Sequence, residues 1–517
     1  MFLSRHSAKC INFVAFNHHI MVKAFSTAIR TLAIACLAAL MAACSHSNDD
    51  LLAMIPGDAR GVMVIDVPTV LHQAGIEKGG KLTLPQSLQA ILDDNDGSPL
   101  CAFIDDLPRL GLDTDCKAYV FFPEKNFAAV LLMAIDDEGK CRSTLERNLT
   151  ARFESADGCD ILTRDHNMYA LGDATLAIAL GGATFDAAKA KTAVEALFAH
   201  NAPSIRDNAE VMRCLDENSH VNAYVKREAL QAVMARSAGY RDIVAQLPII
   251  QVFTESDADA LIAHMTFGEK EVTFTTNIKA ADTSDYARLL DIVLATPNAA
   301  FLSAIPETMD YVVAMSVDGK QFVELEQVKA MIAEFDKLPY LGRFDLRAVL
   351  ATVDGPMAVG VAADKYLQGQ YNAVATAHTT DPDAVLAQID GFARAYGQAP
   401  ELRNGEYIYE YDNKVIQIGI VDDMLYVKML NYQQTEGYLS SHPQLTQFFA
   451  DKVAGFTAVM PAGSTPCRLT YGMSTPFDGQ GRFAAEAAQG NAALLFVEAL
   501  CSIRPAGDFD NPLDADF

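Results

Sequence analysis

The chain is 517 residues long and carries 66 acidic against 40 basic side chains, a formal net charge of −26. Half of its residues are hydrophobic, with 27 Phe, 17 Tyr and no Trp; that composition excludes a disordered or low-complexity chain and allows roughly two to four domains at ~100–200 residues each. So acidic a chain repels phosphate backbones and anionic headgroups, which excludes nucleic acid as a partner and leaves membrane contact to something other than a basic face.

Residues 1–20 fit no targeting pattern and are expected to be an upstream extension, with Met21 as the true start. From there, residues 21–43 read as a secretory signal peptide: Lys23 and Arg30, then about a dozen apolar residues, then "MAAC". The apolar run is shorter than the ~20 residues a transmembrane helix needs. "MAAC", ending at Cys44, resembles the bacterial lipobox, with Met41 where Leu is usual. The resemblance implies lipidation of Cys44, an anchor of several acyl chains and attachment to the outer membrane, with Ser45 as the sorting residue. The alternative is an ordinary signal peptide cut after Ala43. Removing residues 1–43 leaves 474 residues with a balance of −30, and residues 44–50 form a short polar leash.

The N-terminal half, residues 51–297, opens with "IPGDARGVMVIDV". "LDDNDGSPL", residues 92–100, is an acidic turn. Aligned as a calcium loop on Gly97, it puts Leu92 and Phe103 where oxygen ligands are required. Residues 117–137 hold two strands, residues 138–149 a helix, and residues 159–181 three short strands. A helix over residues 186–200 presents Val194, Leu197 and Phe198 on one side. A strand running into a long helix follows over residues 220–247, then a hairpin over 258–280.

The C-terminal half, residues 298–517, repeats this order. "IPETMDYVVAMSV" echoes the opening of the first half, and residues 355–380 again hold two strands. Residues 381–397 form a helix with Asp381 as N-cap, Pro382 in the first turn, Gly397 past the end, and Val385, Ile389, Phe392 and Tyr396 as its apolar stripe. Three strands follow over residues 407–430. The offset stays near 245–250 residues, which points to duplication. Connections between strands are too short for crossovers, so the predicted fold is α+β: two related halves, each with a mainly antiparallel sheet and helices on one face. The groove between the halves is the default ligand site.

Chemistry-bearing residues are sparse. Past Cys44 there are seven cysteines, and their spacing suggests the disulfides Cys101–Cys116, Cys141–Cys159 and Cys467–Cys501, against the alternative of buried free thiols. No metal-ligand spacing, nucleophile elbow or phosphate loop is present, so neither metal, cofactor nor catalytic residue is assigned. The acidic tail at residues 508–517 reads as solvated. Tyr407, Tyr409 and Tyr411 share one strand face and offer either a contact surface or a buried layer under a helix. The leading expectation is a non-catalytic binding or assembly component whose partner is an envelope protein or ligand. The competing one is an envelope hydrolase built on a carboxylate pair or a metal.

With the lipobox, "IPGDARGVMVIDV" and "GLDTDCKAYVFFPEKNFAAVLLMAIDD" together, the chain resembles a family of bacterial outer-membrane lipoproteins of similar length known only as a domain of unknown function. The resemblance implies an envelope lipoprotein and supplies no catalytic residue.

Overall fold

The computed structural model describes residues 48–502 apart from short interruptions and three longer ones, residues 90–109, 235–256 and 285–298. Helix α1 (Asn48–Met54) leads into β1 (Gly61–Asp66), whose last residue caps α2 (Val67–Gln73) by accepting from the Thr69 amide. A small ribbon, β2 (Glu77–Lys78) and β3 (Lys81–Leu82), stands apart. Then come β4 (Lys117–Phe122), β5 (Phe127–Ala134) and α3 (Glu138–Leu149), which Asp137 caps. Strands β6 (Glu154–Ser155), β7 (Asp160–Arg164), β8 (Asn167–Gly172) and β9 (Thr175–Gly181) form a meander. Its last turn places Asp173 and Ala174 at positive φ, as a two-residue type I′ hairpin requires. Helix α4 (Ala187–Phe198), a 3₁₀ turn at Ile205–Asp207 and α5 (Ala209–Leu215) precede β10 (Val221–Lys226), α6 (Arg227–Met234), β11 (Ala260–Phe267) and β12 (Val272–Lys279).

The second part starts with a 3₁₀ turn at Ala300–Ser303 and β13 (Tyr311–Asp318). Three helices follow, α7 (Gly319–Phe322), α8 (Glu326–Asp336) and α9 (Leu346–Ala351). They pack on one another around Val323, Val328 and Ile332. Next are β14 (Val353–Ala363), β15 (Tyr371–Thr379), α10 (Pro382–Ala395), β16 (Glu401–Arg403), β17 (Glu406–Tyr411), β18 (Lys414–Val421) and β19 (Met424–Asn431). A 3₁₀ turn at Leu439–Ser441, α11 (Pro443–Phe449), β20 (Ala454–Ala462), β21 (Thr465–Met473), β22 (Asp478–Ala485) and α12 (Ala492–Ser502) complete the described chain.

Apart from the ribbon, the strands make a single sheet in which every pairing is antiparallel, an α+β architecture. The first ten lie in the order β6-β7-β8-β9-β5-β4-β1-β10-β11-β12. The last ten lie in the order β16-β17-β18-β19-β15-β14-β13-β20-β21-β22. The two sets meet edge to edge, β12 on β22, through six residue pairs from Val272–Phe483 to Asn277–Asp478. This corrects the expectation of two sheets flanking a groove: each set leaves one hairpin strand unpaired, and the two strands satisfy each other's backbone groups.

The expectation of helices on one face only is also corrected. In the first ten strands, α2, α3 and α12 cover one face around Met63, Ile65, Val120, Leu131 and Met133. On the other face, α1, α4 and α5 cover Val62, Val64, Phe121, Val130 and Leu132. Strand β1 is accordingly buried along nearly its whole length, because both side-chain directions meet helices. Helix α12 follows β22 yet inserts Ala493, Leu495, Val497 and Ala499 into the first layer. Phe496 meets Phe267 and Phe483 edge-on at 5.7 and 5.2 Å, and Asn491 Nδ2 donates to the Gln73 carbonyl at 2.6 Å.

At the seam, β22 presents Gly479 and Gly481 on the α12 face. Without side chains there, the Phe274 ring of β12 and the Tyr471 ring of β21 stack across the strand at 5.9 Å and 3°. The Tyr471 hydroxyl reaches Thr276 Oγ1 at 2.7 Å. The row continues through Phe456 to Tyr311. A Cβ at Gly481 would collide with the Phe274 ring. Gly481→Val is therefore expected to destabilise the protein by about 1–3 kcal/mol. Urea denaturation followed by tyrosine fluorescence checks this, and an unchanged midpoint would refute the role given to the stack.

Candidate functional site

The register of the sheet places matching rows of side chains on the face opposite α12. In the first set, Val62 faces Tyr224, Tyr224 faces Ile262, and Ile262 faces Asn277. In the last set, Val312 faces Thr457, Thr457 faces Thr470, and Thr470 faces Arg482. Val62 and Tyr224 are core residues, with Ile262 packed beside them. Thr457 and Thr470 are equally buried, at 1 % exposure each, with their hydroxyls 3.3 Å apart. Arg468, two residues before Thr470 and so on the same face, directs Nη1 at Thr457 Oγ1 from 3.4 Å. Arg482 donates from Nη2 to Gln444 Oε1 on α11 at 3.1 Å. Two half-buried arginines thus frame a buried pair of hydroxyls beside α11.

Further along this row, Val374 faces Lys428, where Val130 faces Ala179 in the first set. Lys428 is 4 % exposed. Its ammonium lies 4.0 Å from the Tyr426 ring centre and 4.7 Å from that of Tyr438, and it donates to the Tyr438 hydroxyl at 3.0 Å. The Tyr426 hydroxyl is bonded to Glu406. Thr376, opposite Tyr426, is buried with an Oγ1 that has no hydrogen-bond partner among the described residues. Ala179 lies in the layer that α4 covers. Lys428 is shielded by aromatic rings instead.

Between the two rows the seam is polar and open. Thr275 faces Gln480, and both are exposed. Beside them, His264 Nδ1 donates to Asn222 Oδ1 at 2.7 Å when the ring is neutral, and Asn222 Nδ2 donates to the Leu215, Glu217 and Ser219 carbonyls beyond α5. His220 Nδ1 accepts from the Phe267 amide at 3.0 Å. Burial holds the pKa of both imidazoles below the usual 6.5. These bonds fix the end of α5 and the β10–β11 edge, which is a structural task.

The residues singled out from sequence fall mostly elsewhere. Cys44 and Cys101 lie outside the described residues, as does the side chain of Cys501. The Cys141–Cys159 disulfide is corrected: both thiols are free, Cys141 in the layer under α3 and Cys159 on the opposite side of the sheet, where no bridge can pass through the backbone. Cys116 and Cys467 are buried. Tyr409 packs under α10 with Val385, Ile418 and Leu425, and Tyr407 lies partly buried beside it. Burial pushes the Tyr409 phenol up to about 12. The Tyr411 side chain and residues 92–100 and 503–517 are outside the described set. Among the described residues no group of three His, Cys, Asp or Glu side chains is placed to hold a metal ion, and no helix is long and apolar enough to cross a membrane. Arg468, Arg482 and Lys428 carry no signal in the sequence, since each stands alone in its strand and becomes part of a group only through cross-strand register.

No family model matches the chain, and no curated relative matches it. Among solved structures it is similar to crystal form I of TP0453, at 12 % identity and a TM-score of 0.28 over 46 % of this chain and 82 % of that one. Crystal form III of the same protein aligns at 11 % identity and a TM-score of 0.29, over 48 % of this chain and 89 % of that one.

His220 and His264 are neutral in the fold and bind protons more readily once unfolded, so the stability they confer is complete above about pH 6.5 and is lost as the pH falls below it. The urea midpoint is expected to drop between pH 7.5 and 5.5 at constant ionic strength, and a flat profile would refute this. Burial pushes the Cys141 thiol up to about 12 and that of Cys159 to about 11. Among Cys116, Cys141, Cys159, Cys214 and Cys467, native protein treated with iodoacetamide at pH 8 should therefore be labelled first at the half-buried Cys214, as peptide mass spectrometry would read.

Proposed function

We propose that this chain is a lipid-tethered protein of the bacterial envelope, attached through Cys44 to the outer membrane, that acts by binding rather than by catalysis. It consists of two related halves, the N-terminal one a scaffold and the C-terminal one a presenter of a polar face. The strand order supports the relation. Replacing each strand of the first set by its counterpart, β1 by β13, β4 by β14, β5 by β15 and β6–β12 by β16–β22, turns the first pairing order into the second. The helix after the third strand also recurs, as α3 and α10, and the short helix before the eighth as α5 and α11. β12 and β22 are then equivalent edges meeting antiparallel, which is the relation a local two-fold axis imposes.

The observation that carries the binding reading is the divergence of one face. Where the first half has Tyr224 and Ile262, the second has Thr457 and Thr470, and Arg468 and Arg482 rise beside them. A scaffold position satisfied by apolar packing needs no buried hydroxyl or half-buried cation, so the polar set answers to a ligand or partner. The lipoprotein resemblance of residues 21–44 supports the tether.

Replacing Cys44→Ser is expected to release the protein from membranes of a lipoprotein-processing host. The fraction sedimenting with membranes after a high-salt wash should fall from nearly all to a small remainder. A mutant that still sediments overturns the lipid anchor.

A further inference from the structure

We propose that Arg468 and Arg482, over the buried pair Thr457 and Thr470 and beside Gln444, form a binding site for a single anionic group, a carboxylate or phosphate. The proposal rests on the reading of two related halves and deepens the binding function given to the second.

Four observations converge on it. Thr470 faces Arg482 across β21 and β22, and Arg468 is two residues away on the same face, so the two arginines are diagonal neighbours, a spacing of roughly 7–8 Å and somewhat less between Cβ atoms. One anion can be reached from both. Next, the corresponding positions of the first half carry no such pair of cations. Carrying the register across the halves sets Ala260 against Arg468, Ile262 against Thr470, Tyr224 against Thr457 and Asn277 against Arg482. That row folds without a positive charge. Third, the contact Arg482 makes to Gln444 is to a neutral amide, so its guanidinium charge is not neutralised there. Fourth, Thr457 and Thr470 hold two hydroxyls at 1 % exposure beneath the guanidiniums, which supplies short-range donors in a shielded place.

The chemistry selects the ligand class. A guanidinium is a planar fork of donors that matches a carboxylate or phosphate in a bidentate way. The chain's net charge of −26 supplies no long-range attraction to an anion, so each anionic group is held singly by contacts that act only at close range. Two sources offer such a group: a soluble metabolite-sized anion and the headgroup of an anionic lipid.

The test uses the full chain purified in a neutral detergent. Inorganic phosphate is titrated in place of chloride at constant ionic strength, with melting temperature and isothermal calorimetry as readouts. In parallel, vesicles of phosphatidylcholine with and without phosphatidylglycerol probe the lipid source. Wild type is expected to melt higher in phosphate or to bind the phosphatidylglycerol vesicles selectively, and which of the two occurs names the source. Arg482→Gln and Arg468→Gln should each weaken that binding at least tenfold. Arg482→Lys should fall between them and wild type, because it keeps the charge and loses the fork. Lys279→Gln, a charge removed from the first half, should behave as wild type. Circular dichroism of each variant confirms folding, and the three arginine variants are independent, so the loss of one to misfolding leaves the others to decide. Wild type indifferent to both probes, or arginine variants that bind as wild type does, overturns the site. If native mass spectrometry of that wild type still finds a retained molecule, the anion site fails while the binding reading stands. If nothing is retained, both fail.

Discussion

The antiparallel pairing of β12 with β22 is the constraint on which the rest of the molecule depends. Each strand ends a run of ten and has its outer backbone groups open until the other arrives, so the seam satisfies two edges at once. The pairing is narrow, and backbone hydrogen bonds alone contribute modestly against water. What fixes it is the side-chain arrangement above it. Glycines at 479 and 481 let the rings of Phe274 and Tyr471 lie flat over β22, and the Tyr471 hydroxyl closes on Thr276. Aromatic stacking of this kind contributes about 0.5–1.5 kcal/mol beyond burial.

Helix α12 turns that local contact into a cooperative one. It is attached to the last strand of the second set, but its apolar side chains complete the layer of the first, where Phe496 closes on Phe267 and Phe483. Separating the sets would expose that stripe as well as the seam. Each buried Leu or Val contributes about 1.5–3 kcal/mol, so the helix outweighs the strand pairing in holding the two parts together.

With one face of the seam closed by α12, the other is free to be polar. Antiparallel sheets tolerate this because alternation sends Thr273, Thr275 and Asn277 one way and Val272, Phe274 and Thr276 the other. In the first set, α4 and α5 shut the same face farther out. In the second, Lys428, Arg468 and Arg482 occupy that side. Three basic side chains thus share one surface, and the proposed binding role grows from that grouping.

How much of this was legible beforehand follows from the range of the forces involved. Local chemistry set the elements. Asp137 and Asp186 begin α3 and α4, Asp381 and Pro382 begin α10, and a two-residue turn joins β8 to β9, all within a few residues of their signals. The antiparallel character and the burial of Tyr409 under a helix also lay in local patterning, since alternation and helical period report which side of an element is apolar. Other features required the assembled sheet. Cys141 and Cys159 sit eighteen residues apart in sequence and on opposite sides of the backbone in space, a separation that spacing along the chain does not encode. The meeting of β12 with β22, the return of α12 to the first layer and the gathering of Thr457, Thr470, Arg468 and Arg482 depend on register between distant strands. Short-range propensity, capping and period are written residue by residue, so the sequence alone determined the elements and their order. Register is decided by the competition of whole strands for partners, so the tertiary structure alone decided which side chains would share a face.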